Sequence, residues 1–193
     1  VDALLAASTT LPTPAGRVEA GYTAARMMVD VLGDAARAEA VLTQCMEADP
    51  HNPTVVGLLR LVAVRLARWS VAHDLAASEA AMSTGAHREW LLLQSGYAAL
   101  HGMSSDAHVR ASEILEGNPT HPGALALLER EALQRDDNQR LLSVTRRIRN
   151  STDDPSERTT LTVRLASLAA ELNEPQTASR AITRVLEASV GPR

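Results

Sequence analysis

Residues 32–53 read LGDAARAEAVLTQCMEADPHNP, and this stretch decides the fold. It opens with Gly33-Asp34, where a residue of positive φ can close the C-terminus of a preceding helix. A helical run follows and ends at Asp49-Pro50, because the residue before a proline is biased away from the α region. Asn52-Pro53 then suits the cap and the first turn of another helix. The stretch therefore predicts one helix between two sharp breaks.

The same layout recurs along the chain at a nearly constant period. Four later breaks follow Gly33-Asp34 at steps of 34, 35, 34 and 37 residues, a period typical of repeats built from two helices. The fifth residue after each break is small in four of the five units, as expected where two helices cross closely. The later breaks are Ala67-Arg68, Gly102-Met103, Asp136-Asp137 and Asn173-Glu174, and the fifth residues are Ala38, Ala72, Ala107, Leu141 and Ala178. Four residues further on stand Leu42, Ala76, Ala111, Thr145 and Ile182, and the units end in turns at Asp49-Pro50, Thr84-Gly85, Asn118-Pro119, Asp154-Pro155 and Gly191-Pro192. The pattern predicts a chain of helical hairpins.

Composition also favours an all-α protein. Hydrophobic residues make up 45% of the 193 residues, an ordinary share for a folded domain. There is no Phe and there are only two Trp and two Tyr, so Leu, Ala and Val must build the core, and alanine and leucine favour helix. All 19 basic residues are Arg and none is Lys. The missing Lys and Phe suggest a GC-rich coding bias and a bacterial origin.

The first helix of the third unit carries the most specific motif. Trp90, Leu93 and Tyr97 have the spacing of the tetratricopeptide repeat (TPR) consensus, and residues 32–53 supply its second half nearly intact. On these residues the chain resembles the TPR family, although Gln94 replaces a small consensus residue. The resemblance implies an all-α, right-handed solenoid of antiparallel helix hairpins, with about five units. An irregular helical bundle without a fixed period is the alternative.

The expected solenoid covers residues 19–189. Residues 1–18 do not fit a full unit and are expected to form a capping helix or the tail of an upstream unit. Residues 190–193 are expected to be a C-terminal tail. The last helix carries one apolar stripe, formed by Ala178, Ala181, Ile182, Val185 and Leu186. No run is long and apolar enough to predict a membrane span, and no secretory signal layout is found, which leaves the compartment open between cytoplasm and periplasm.

No catalytic constellation is found, so the chain is predicted to be no enzyme and to have no cofactor and no metal. Gly-rich phosphate loops, nucleophile elbows and HExxH motifs are missing from the sequence. His101 and His108 flank Asp106 and could hold a metal, but the spacing matches no known closed site. Cys45 falls on the inner stripe of its helix, which predicts a buried thiol and not a reactive one.

The densest positive patch lies on one predicted helix and consists of Arg140, Arg146, Arg147 and Arg149. The ordinary interpretation is the solvated face of a helix, partly balanced by Asp136-Asp137 at its start. The alternative is a docking site for an acidic or phosphorylated partner. A formal net charge of −4 and the scarcity of stacking aromatic residues argue against nucleic-acid binding.

The TPR resemblance implies which residues line the concave groove. They are Ala20, Thr23, Met27 and Asp30 in the first unit, Gly57, Leu61, Val64 and Arg65 in the second, Arg88, Leu91 and Ser95 in the third, Ala126, Arg130 and Leu133 in the fourth, and Val163 and Ser167 in the fifth. Neither Lys nor Asn stands at these positions, so the capture of a C-terminal carboxylate, as in some TPR domains, is not expected. What remains is an apolar strip edged by arginines.

Two functions of different classes are consistent with this strip. The first is an adaptor or chaperone-like module whose groove binds a peptide or helical segment with apolar anchors beside Asp or Glu. The second is a structural scaffold that self-associates as a homo-oligomer or belongs to a larger assembly, with no groove ligand. The candidate groove residues are Met27, Leu61, Val64, Arg65, Arg88, Leu91, Arg130 and Leu133.

Overall fold

The computed structural model describes the backbone of residues 1–190 and the side chains of residues 1–187. The described part is all-α and contains no strand, as the composition predicts. The helices are α1 (Asp2–Thr10), α2 (Pro14–Met27), α3 (Ala35–Ala48), α4 (Pro53–Arg65), α5 (Trp69–Ala81), α6 (Gly85–His101), α7 (Ala107–Gly117), α8 (Pro122–Gln134), α9 (Asn138–Ser151), α10 (Pro155–Glu171) and α11 (Pro175–Val190). A π-helical turn, Met28–Leu32, continues α2. The predicted turn at Gly191-Pro192 lies outside the described residues.

Prolines and short polar side chains set the helix starts. Pro53 opens α4, and the Oδ1 atom of Asn52 accepts hydrogen bonds from the amides of Thr54 and Val55 at 3.1 and 3.3 Å, which confirms the predicted cap. The same arrangement of Thr13 before Pro14 starts α2 five residues before the predicted boundary at residue 19. Residues 1–10 hold a helix of their own, α1, which packs against α2.

A residue of positive φ stands at each of the five predicted breaks, and only the first is a glycine. These residues are Gly33, Ala67, Met103, Asp136 and Asn173, with φ values of 68°, 54°, 57°, 53° and 56°. In the last four breaks, the residue directly after the positive-φ residue donates its backbone amide to the carbonyl five residues before it, as in a Schellman motif. The acceptors are Ala63, Ala99, Ala132 and Ala169, at 2.8 to 2.9 Å. The last four breaks therefore share one geometry, and the first shares with them the positive φ.

The residues at the two repeated helix positions, five and nine residues after each break, lie mostly in the core. Ala38, Ala72, Ala107, Leu141 and Ala178 are all buried, and so are Leu42, Ala76, Ala111 and Thr145. Ile182 departs from the pattern because Ala181 takes the buried position on α11 and Ile182 is exposed. The expected apolar stripe of α11 is therefore only partly covered: Leu186 is exposed as well.

The chain divides into two compact units, of which the first is Val1–Ser104 and the second begins at Ser105. The division falls inside the predicted third hairpin, since α6 ends the first unit and α7 begins the second. Within each unit, consecutive helices pack against each other, which is the arrangement of a helical repeat. None of the helices in the described chain is long and apolar enough to cross a membrane.

Each unit has its own buried core. In the first unit a cluster of buried residues that includes Met28, Leu42 and Val62 joins α2, α3 and α4. Leu5 of α1 packs on this cluster, so α1 adds to the core of the first unit. In the second unit a cluster of Leu141, Leu165 and neighbouring residues joins α8, α9, α10 and α11.

Candidate interaction surface

Three of the predicted groove residues within the first compact unit, Val1–Ser104, are exposed and apolar. Met27 ends α2, and Leu61 and Val64 lie one turn apart on α4. All three side chains are exposed although they are large and apolar. Exposed apolar side chains that stand singly are common on proteins, but neighbouring ones indicate an interaction site. A shared interaction site requires the end of α2 and the end of α4 to lie close together.

Arg65 joins the two helix ends. Its Nη1 atom donates a hydrogen bond to the carbonyl oxygen of Val29, at 3.4 Å, so the last turn of α4 lies against the π-helical turn after α2. Arg65 is itself exposed, which places a positive charge beside Leu61 and Val64. We call Met27, Val31, Leu61, Val64 and Arg65 the α2/α4 surface.

Val31 lies in the π-helical turn that Arg65 contacts, and the sequence did not predict this turn. The amide of Asp34 donates to the carbonyl of Met28 at 2.9 Å, and Gly33 adopts a positive φ to close the turn. Met28 stays fully buried while Val31 is 73% exposed. Single π-helical turns inside α-helices occur frequently at functional sites. The only sequence signal for this turn was the glycine of the break.

The predicted groove positions on α6 are wrong in two cases. Leu91 is fully buried, and Ser95 is fully buried and hydrogen-bonded to His73 on α5. The reason is that α6 packs closely against α5, so the helix face that carries Leu91 and Ser95 is buried within the first compact unit. Ala20 of α2 is buried as well, whereas Arg88 is half-buried at the start of α6. We therefore leave Leu91 out of the proposed surface.

The second unit carries its own exposed positions among the predicted groove residues. Leu133 and Arg130 are exposed on α8, and Val163 and Ser167 are exposed on α10. Ala126 is half-buried. These exposed residues are therefore accessible to a ligand of the second unit.

A buried ion pair stabilises α4 next to the α2/α4 surface. The Nε atom of Arg60 lies 2.6 Å from Oε2 of Glu79 on α5, and both side chains are almost completely buried. The Arg60 guanidinium also lies over the ring of Trp90, 4.9 Å from its centroid, and Trp90 stacks on His87. Trp90 therefore ties α6 to α4 through a cation–π contact. In the sequence, Arg60 was visible only as an interruption of an apolar run.

His73 on α5 has hydrogen-bond partners on α6. His73 is buried, and its Nδ1 atom lies 2.9 Å from the hydroxyl oxygen of Ser95. A serine–histidine pair of this kind could activate a nucleophile. Because the Ser95 hydroxyl is fully buried, a substrate carbonyl cannot reach it.

His101 and His108, the two candidate metal ligands, each contact another side chain. His101 stacks on Trp69 with the ring centroids 4.6 Å apart. His108 lies 3.6 Å from the carboxylate of Glu131. In the described part of the chain, no three His, Cys, Asp or Glu side chains converge as a metal-binding group.

Cys45 is buried between α3 and α2, as predicted. Its Sγ atom lies 3.8 Å from the carbonyl oxygen of Val18. Burial raises the pKa of the Cys45 thiol above its ordinary value. Because the thiolate is the reactive species, this environment suppresses reactivity at neutral pH.

Comparison with known proteins gives no family for this chain. No protein-family model matches it, and no curated protein is significantly similar to it.

Proposed function

We propose that the chain is a non-catalytic protein–protein interaction module, of the right-handed TPR type, that binds a peptide or helical segment of a partner. The observation that supports this proposal is the α2/α4 surface. There, the exposed side chains of Leu61 and Val64 share the end of α4 with Arg65, which donates to the turn that follows Met27.

The chemistry of this surface defines the partner. Leu61 and Val64 supply apolar contacts one turn apart on α4, and Met27 adds an exposed apolar side chain at the end of α2, which suits a segment with two or three apolar anchors. Arg65 favours Asp or Glu beside those anchors. Full burial of one aliphatic side chain contributes about 1.5–3 kcal/mol, and these side chains are already partly covered. Because no aromatic residue contributes, we expect an affinity in about the micromolar range and not a nanomolar one.

The alternative function, a self-associating scaffold, is favoured by a different observation. Ile182 and Leu186 leave apolar area exposed on α11. A second copy that covers this face would place two solenoid ends together, as stacked repeats do. This alternative predicts association that depends on concentration without any added peptide.

The test uses amphipathic helical peptides with leucine anchors at i and i+4 and either acidic or basic flanks. Binding is measured by fluorescence anisotropy for the protein, Val64→Asp and a matched control, Val71→Asp on α5. Val64 and Val71 are the same residue type in the same unit and are each 39% exposed. We expect the acidic peptide to bind better than the basic one, and Val64→Asp to weaken binding by about 1 kcal/mol or more.

The control separates the outcomes. If Val71→Asp weakens binding as much as Val64→Asp, the α2/α4 surface is not the site. If neither peptide binds and sedimentation shows a dimer that Ile182→Asp dissociates, the scaffold function replaces the proposed one.

A further inference from the structure

Arginines from three helices of the second unit line one cavity. The cavity has a volume of about 530 Å³ and lies where the end of α9, the start of α10 and α11 meet. Its polar lining residues are Arg149, Asn150, Arg158, Thr159, Thr162 and Arg184. This volume is within the range of about 300–1,000 Å³ that is usual for small-molecule sites.

The positive charge extends into an adjoining depression of about 380 Å³. Arg149 and Arg184 line both cavities, and Arg146 and Arg180 line the second one. Five arginines therefore surround the two cavities. We call Arg146, Arg149, Arg158, Arg180 and Arg184 the arginine cluster.

No carboxylate neutralises the arginine cluster among the residues whose side chains are described. Arg149 donates to the amide oxygen of Asn150 at 2.6 Å, and Arg158 donates to the carbonyl oxygen of Thr152 at 2.6 Å. These acceptors are neutral. Other arginines of the same unit do pair with acids: Arg110 with Glu113, Arg135 and Arg140 with Glu131, and Arg164 with Glu129. The nearby Glu157 accepts a hydrogen bond from Thr152.

The crowding of like charges has an electrostatic cost. Burial and the guanidinium groups of Arg184, Arg146 and Arg158 lower the pKa of Arg149. Arginine remains protonated in proteins even so, which means that the repulsion is present at neutral pH. Self-repulsion of this kind destabilises a compact state, and a bound anion relieves it.

We propose that the arginine cluster binds a phosphate group carried on a side chain of a protein partner. Arginine presents planar pairs of N–H donors that match phosphate oxygens, and a phosphoserine or phosphothreonine carries about −1.5 to −2 charges at pH 7. The hydroxyls of Thr159 and Thr162 already donate to backbone carbonyls, so the donors for the ligand are the guanidinium groups. This proposal concerns the second unit and does not rest on the α2/α4 surface.

The composition of the second unit favours a phosphorylated side chain over a nucleic acid. Residues 105–193 contain no Trp, Tyr or Phe, so the large aromatic rings on which bases usually stack are missing from this part of the sequence. The whole chain also has a formal net charge of −4, which opposes general binding to a polyanion.

The test measures binding of three acidic peptides that differ only in a central phosphoserine, glutamate or serine. Titration calorimetry is carried out on the full chain and on Arg149→Gln, Arg184→Gln and Arg147→Gln. Arg147 is the matched control because it lies on α9 with Arg146 and Arg149, is exposed, and donates to the carbonyl of Pro119 instead of lining either cavity. Inorganic phosphate and a single-stranded oligonucleotide serve as further probes.

We expect the phosphoserine peptide to bind better than the other two peptides. Arg149→Gln and Arg184→Gln should each weaken this binding by about tenfold, the scale of one lost charge-assisted contact, and Arg147→Gln by less than about twofold. Both cluster variants should unfold at or above the temperature of the unmodified protein, because they remove repulsion. Equal loss in Arg147→Gln, tighter binding of the oligonucleotide, or no binding of the phosphopeptide at about millimolar concentration would overturn the proposal.

Discussion

Glu131 on α8 accepts a hydrogen bond from Arg140 on α9, with Oε2 and Nη1 3.2 Å apart. The Glu131 side chain is almost completely buried, and Arg135 Nε and His108 Nδ1 lie 3.3 and 3.6 Å from its other oxygen. One carboxylate thus connects three helices of the second unit. As the sequence predicts, Arg140 is partly balanced by Asp137 at the start of its helix, with Nε and Oδ2 3.6 Å apart. Its second partner, the buried Glu131 on the preceding helix, was not predicted.

Loss of the Glu131 charge should destabilise the second unit. Removal of one partner from a buried ion pair costs about 3–5 kcal/mol. The side chains of Arg140 and Arg135 are 38% and 41% exposed, so water screens part of this cost. We expect Glu131→Gln to lower the free energy of unfolding by about 2 kcal/mol. Urea denaturation measures this change, with the exposed Glu116→Gln on α7 as the control. An equal effect of both variants would contradict a specific role for Glu131.

Substitution of Gly21 should disturb the contact between α2 and α3. A Cβ atom at Gly21 would lie 2.5 Å from the Sγ atom of Cys45, so either the Cys45 side chain or one of the two helices must shift. Overpacking of this kind costs about 1–3 kcal/mol. We expect Gly21→Ala to lower the free energy of unfolding by that amount, and Cys45→Ala to recover part of it in the double variant. Thermal denaturation of both variants tests the expectation.

Gly57 is the matched control for the previous prediction. It lies inside α4, and a Cβ atom there would meet only Glu79 Oε1 at 3.6 Å. Because alanine is favoured over glycine inside a helix by about 1 kcal/mol, Gly57→Ala should raise stability. If Gly21→Ala raised stability in the same way, helix propensity and not the close contact with Cys45 would dominate at that position.

The sequence predicted those parts of the fold that depend on local chemistry. The five breaks lie where the period placed them, because positive-φ helix ends and proline starts need only a few neighbouring residues. Even here the residue of positive φ in the third break is Met103, whereas Gly102 has a φ of −78°. The alanines that accept the closing hydrogen bonds repeat with the breaks, although the sequence analysis did not align them.

The candidate sites depended on tertiary contacts and were therefore predicted less well. Leu91 has the spacing of a groove residue, but the close packing of α6 on α5 buries it. Val31 became part of the α2/α4 surface through a π-helical turn that no sequence period revealed. The arginine cluster combines residues from α9, α10 and α11, so the basic run on α9 showed only part of it.

The buried thiol of Cys45 should make stability fall at alkaline pH. Its folded-state pKa is raised above the ordinary value of 9.0, so the unfolded chain loses the thiol proton first as the pH rises. The contribution of Cys45 is therefore complete below the ordinary thiol pKa and decreases as the pH rises above it. Urea denaturation between pH 7 and pH 10 should show this decrease in the unmodified protein and a shallower one in Cys45→Ala. Parallel curves would mean that the Cys45 thiol ionises equally in both states.

The positions of the two tryptophans make the unfolding of the two units separable. Trp69 and Trp90 both lie in the first unit, so tryptophan fluorescence reports that unit, whereas far-ultraviolet circular dichroism reports helices of both. Since each unit has its own buried core, we expect the two probes to give different midpoints in urea. Glu131→Gln should shift the circular dichroism curve and leave the fluorescence midpoint nearly unchanged, and Gly21→Ala should shift the fluorescence midpoint. Coincident curves in the unmodified protein and in both variants would show that the whole chain unfolds in one cooperative step.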